Sequence, residues 1–90
     1  MDAFNAIKDP DATLDFRINW AEWLGSDTIA TSTWIADPGV TVTAHSKTDT
    51  VATAWLSGGQ HGRRYHITNR ITTAAGRTDD RTIVLSVENR

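Results

Sequence analysis

The chain has 90 residues, enough for one small domain, and carries a formal net charge of −2 with no cysteine. That balance argues against a dedicated nucleic-acid binder, and the missing thiols exclude disulfide reinforcement and any thiolate metal site. No apolar run approaches membrane-spanning length, the first residues lack a signal-peptide pattern, and abundant threonine with isoleucine, valine and tryptophan biases the chain toward strands.

Residues 1–12 read as an N-terminal arm preceding a domain over residues 13–90. Asp9-Pro10-Asp11 marks the boundary, because a proline disfavours helix at the residue before it. Phe4 and Ile7 are three apart, the spacing of one side of a short helical turn. The segment is either a frayed terminus or a docking segment with Phe4 and Ile7 as anchors.

Leu14, Phe16, Ile18 and Trp20 alternate with Asp15, Arg17 and Asn19, the cleanest period-two pattern in the chain and the expected first strand. Trp20, Trp23 and Leu24 then fall at i, i+3, i+4, and Gly25 is a natural stop, so a tight helical corner follows. Residues 27–35 give a second strand, with Ile29, Thr31, Thr33 and Ile35 on one face and Ala30, Ser32 and Trp34 on the other. Trp34 is then half-exposed or covers a neighbour. Asp37-Pro38-Gly39 is a turn. Val40, Val42 and Ala44 alternate with Thr41, Thr43 and His45 in a third strand. In the fourth, residues 50–56, Val51, Thr53 and Trp55 oppose Ala52, Ala54 and Leu56.

After the Gly-rich loop of residues 57–62, Tyr65, Ile67 and Ile71 share one face of a strand, and Ile83, Leu85 and Val87 share one face of the next. Gly76-Arg77-Thr78-Asp79-Asp80 is the expected turn between them. A lone hairpin is marginal in water, so its apolar face requires a second sheet. Short strands at about ten-residue spacing point to an all-β, immunoglobulin-like β-sandwich of about seven strands. In such domains a tyrosine near the start of the penultimate strand bonds back to the preceding corner, and Tyr65 stands at that place.

Asp9-Pro10-Asp11, Leu14-Asp15-Phe16, the Trp20-x-x-Trp23-Leu24 corner, Asp27-Thr28-Ile29, Trp55-Leu56-Ser57-Gly58-Gly59, and Asn69-Arg70-Ile71-Thr72-Thr73 leading to Gly76-Arg77-Thr78-Asp79-Asp80-Arg81 follow in a specific order. From about Asp9 to its end the chain resembles the small immunoglobulin-like virion proteins of tailed bacteriophages, described as fibre-to-tail adaptors. The resemblance implies a structural, non-enzymatic virion protein bridging other virion proteins of tail, fibre or capsid, in several copies of a symmetric assembly. It carries no catalytic residues, metal ligands or cofactor. Two further readings stand beside it: a capsid decoration protein, and a carbohydrate-binding module stacking sugars on Trp34 or Trp55.

Individual residues fit a contact surface better than a reactive site. His45 is expected on an outward strand face, His61 in the loop and His66 on the polar face of the hairpin, spacings that suit surface histidines rather than metal ligands. Histidine titrates near neutral pH, so His61 or His66 suits a pH-sensitive contact. Ser57-Gly58-Gly59 lacks the order of a nucleophile elbow. Asp79-Asp80 reads as turn chemistry, with Arg77 and Arg81 beside it for charge balance. Phe4, Ile7, His61, Arg63, Arg64 and His66 are the expected interface residues, facing protein partners rather than nucleic acid or membrane.

Overall fold

The computed structural model describes residues 2–88, with side chains from Asn5 onward. In chain order it comprises β1 (Asp2–Lys8), β2 (Leu14–Asn19), α1 (Ala21–Leu24), β3 (Ile29–Ala36), β4 (Val40–Lys47), β5 (Val51–Gly58), β6 (Arg64–Thr73) and β7 (Thr78–Val87). The described strands form two facing sheets, ordered β1-β7-β6-β3 and β2-β5-β4. All pairings are antiparallel except β1 with β7. The all-β two-sheet sandwich agrees with the sequence expectation.

Alternation places the core between the sheets. From β6 and β7, Tyr65, Ile67, Ile71, Ile83, Leu85 and Val87 point inward and are buried; from β5, Ala52, Ala54 and Leu56 are fully buried. Each wholly buried Ile or Leu contributes about 1.5–3 kcal/mol relative to an exposed one. The small alanines leave interlayer space for Trp20, which is completely buried where β2 runs into α1. Gly25 ends this one-turn helix at φ 64°, and its N–H donates to the Ala21 carbonyl.

Two lysines fasten one sheet to the other at opposite ends, alongside Arg81 of β7, which donates to the Asn19 carbonyl of β2 at 3.0 Å. Lys8 of β1, fully buried, donates from Nζ to the carbonyl of Gly58 on β5 at 2.8 Å and to that of Asp9 at 2.7 Å. Burial lowers the pKa of this amine, and Asp9 and Asp11 act against the shift. At the other end Lys47 of β4 donates to the Ile29 carbonyl of β3 at 2.9 Å.

The Tyr65 expectation holds in detail. Its hydroxyl oxygen accepts the backbone N–H of Gln60 at 2.9 Å. Gly39 and Gly59 flank the ring. A Cβ at Gly39 would lie 2.9 Å from Tyr65 Cε1, and one at Gly59 would lie 2.6 Å from Val87 Cγ2.

Four local expectations need correction. The segment carrying Phe4 and Ile7 is an extended strand, in register with Ile83 and Ser86 respectively, rather than a helical turn. Three-residue spacing shares a side in a helix but falls on opposite faces of a strand. In β3 a bulge at Ala30 shifts the phase. Ile29 is buried, but Ile35 is 53% exposed, and Trp34 lies inward in register with Asn69 and packs on the core. This removes Trp34 as a stacking platform for sugars. A second bulge at Thr43 puts His45 and Lys47 opposite Ala54 and Ala52, on the inward side of an edge strand, yet both remain exposed, so His45 is a surface histidine as expected although its face differs. Finally, Asp79 and Asp80 belong to β7, and the turn covers residues 74–77. Asp80 forms a two-pronged pair with Arg70 across the ladder, at 2.7 and 2.9 Å. Arg77 instead bonds Asp27.

Candidate interaction surface

The outward face of the four-stranded sheet collects three of the six expected interface residues. Ladder pairing aligns Ile7, Ser86 and Arg64 in one row across β1, β7 and β6, and Asn5, Val84 and His66 in the next. Paired residues on neighbouring strands project to the same side, so Ile7, Arg64 and His66 share a surface. Ile7 is 47% exposed. The side chain of Phe4 lies outside the described residues.

The β5–β6 loop brings His61 and Arg63 to the same end. Its backbone is held to the sheet: Gly62 N–H donates to the Val87 carbonyl at 2.8 Å, and Val87 N–H donates to that of Arg63 at 3.0 Å. A shallow depression of about 160 Å³ lies here, lined by Gly62, Arg63, Arg64, Ser86, Val87 and Glu88.

Charge sets this end apart. Arg70 is engaged by Asp80, and Arg77 by Asp27 and by the face of Trp23 at 4.2 Å. Arg81 lies over the Trp20 ring at 4.3 Å and donates to the Asn19 carbonyl. Arg63 and Arg64 are exposed and form no ion pair among the described residues. His66 is anchored rather than free: its backbone N–H donates to Asp37 Oδ2 at 2.7 Å, and its ring Nδ1 lies 3.2 Å from the same oxygen. That contact ties the β3–β4 turn to β6.

One further ionisable group, Asp27, serves the fold. Asp27 sits under the β6–β7 turn, and its pKa falls to about 2. The Thr73 hydroxyl is the largest cause, with the Thr28 and Ala75 amides and Arg77 adding to it. Among the described residues no three His, Asp or Glu side chains gather where they would hold a metal ion.

Sequence reasoning missed Asn5, Val84 and Ser86 as parts of this face. Their grouping comes from β1 lying parallel to β7, the two ends of the chain side by side. No local pattern encodes that pairing, although the alternation of β7 already assigned Val84 and Ser86 to its polar side.

A family model for the podophage GP4 fiber-tail adaptor protein gp77 matches residues 8–86. The chain belongs to this family. It is a fibre-to-tail adaptor, a structural component of the phage virion that binds other virion proteins. No curated protein matches the adaptor's sequence. The family match begins at Lys8, so residues 2–7 of β1 lie outside it.

Proposed function

We propose that the adaptor grips its tail or fibre partner through the sheet end where Ile7, Arg64 and His66 meet His61 and Arg63 of the loop. Phe4 is in register with Ile83, on the opposite face of β1 from Ile7, and stands outside this contact set. The observation that carries this reading is the pair of exposed arginines without ion-pair partners among the described residues, beside an exposed isoleucine, where Arg70, Arg77 and Arg81 are engaged internally. Arginine next to apolar surface is the composition of interface anchors, and an acidic partner surface suits it.

The role is scaffolding without catalysis, and a hydrolase screen of the pure protein is expected to give no turnover. Two uncommitted arginines make too small a footprint for nucleic acid. Several copies around a symmetric particle convert modest single contacts into durable attachment. The test is the double variant Arg63→Glu, Arg64→Glu. Both side chains are exposed, so the variant keeps its melting temperature, yet it fails to enter particles. Normal incorporation of the variant refutes the assignment of this surface.

A further inference from the structure

Four strands end the two sheets, and three of them carry features that blunt strand addition. β3 is bulged at Ala30. β4 is bulged at Thr43 and carries Lys47 beyond it. β2 places Asp15 and Arg17 along its short length. β1 has no bulge over its whole pairing, no proline, and only Ala3-Phe4-Asn5-Ala6-Ile7 between its charged ends. A regular, uncharged edge invites another strand, and natural sheets seldom leave one open.

The hydrogen-bonding direction of this edge follows from one bond. Glu88 N–H donates to the Lys8 carbonyl at 2.9 Å, so Lys8 turns its polar groups toward β7. Alternation then turns those of Ala6 and Phe4 the same way, and those of Ala3, Asn5 and Ile7 toward the free edge. We infer that β1 pairs antiparallel with β1 of a second copy, centred on Asn5 facing its own counterpart, so that the two four-stranded sheets become one.

The segment is self-complementary in this register. Ala3 falls opposite Ile7 of the other copy, and every edge-facing N–H and C=O of the three residues gains a partner, as hydrogen-bonded antiparallel pairs require. Asp2 falls opposite Lys8, whose amine is committed to the Gly58 and Asp9 carbonyls of its own chain, so no like charges are opposed. The contact is isologous and closes on two molecules. It keeps both outward faces on one side of the joined sheet, and it stands whether or not the Arg63–Arg64 patch holds the fibre or tail.

The chain has no cysteine, so a single introduced thiol reports the register cleanly. Across a hydrogen-bonded antiparallel pair the Cα atoms lie about 5.5 Å apart, within disulfide reach. Under mild oxidation the purified full-length Asn5→Cys protein is expected to form covalent dimers far faster than Ala3→Cys or the surface control Ala44→Cys. In sedimentation, wild-type protein doubles its mass with concentration. Asn5→Pro removes an edge-facing N–H and no β1–β7 hydrogen bond, so it is expected to remain folded and monomeric. Wild-type protein that stays monomeric at the highest soluble concentration overturns the proposal. So does Asn5→Cys coupling no faster than the controls, as expected if the edge takes a strand from a different virion protein.

Discussion

Trp20 and Asn69, both fully buried, are joined by a 2.9 Å hydrogen bond from the indole Nε1–H to the amide Oδ1. Asn69 Nδ2 donates in turn to Ser32 Oγ at 2.9 Å and to the Thr33 carbonyl at 3.0 Å. One side chain thus ties the α1 corner to β6 and to edge strand β3. A satisfied polar group in a dry core specifies the packing, and removing one partner strands the other. Asn69→Ala is expected to cost about 3 kcal/mol, read as a lower urea midpoint at unchanged slope. Ser32→Ala, which leaves the Thr33 carbonyl bond, costs about 1 kcal/mol.

Acid stability should depend on Asp27. Its pKa is about 2 in the fold against an ordinary value of 3.8, so the folded state binds its proton more weakly than the unfolded state does. The stabilisation is fully present above the ordinary value and is lost as pH falls toward 2. The melting temperature of Asp27→Asn should therefore fall less steeply than that of wild type between pH 4 and 2. Parallel acid limbs for the two proteins would show that Asp27 does not carry this dependence.

Glycine at the Tyr65 corner is required for space as well as for backbone. Gly59 has φ 93°, and a methyl there meets Val87 and the Tyr65 ring; Gly62 has φ 82° with open space around it. Gly62→Ala should cost about 1 kcal/mol for the left-handed backbone alone. Gly59→Ala adds the overpacking penalty and should cost about 3 kcal/mol in all. Equal effects in thermal unfolding would contradict the crowding seen around Tyr65.

The first strand separates into two functions. Lys8 belongs to the sandwich closure, so Lys8→Met leaves the Gly58 and Asp9 carbonyls without their donor and should cost about 2 kcal/mol. Deleting residues 1–7 keeps that donor. It should lower the melting temperature modestly while weakening particle assembly strongly. A deletion that unfolds the domain shows instead that residues 2–7 hold the core.

Where a pattern was local and unbroken, the sequence disclosed the fold. The alternation of β2, β5, β6 and β7, the Trp20–Gly25 corner and the Tyr65 bond all stand as expected, because each depends on residues close in the chain. The two bulges did not show. A single extra residue at Ala30 or Thr43 inverts every side chain after it, and partner strands far along the chain decide where that residue is accommodated. Asn69 looked like one more polar residue, because its value inside the core exists only with Trp20 opposite. The same limit applies to the contact surface. Arg63, Arg64 and His66 were visible as expected interface residues, whereas the place of Ile7 beside Arg64 depended on the parallel docking of β1.

The two lysine tethers give the adaptor an unusual chemical profile. Reducing agents find nothing to cleave, since the leaves of the sandwich are latched by amines instead of sulfur. Cyanate in aged urea, or any acylating reagent, has the opposite character. An amine captured during a brief opening cannot reseat against its carbonyl, so each capture holds the latch undone, and damage accumulates one molecule at a time.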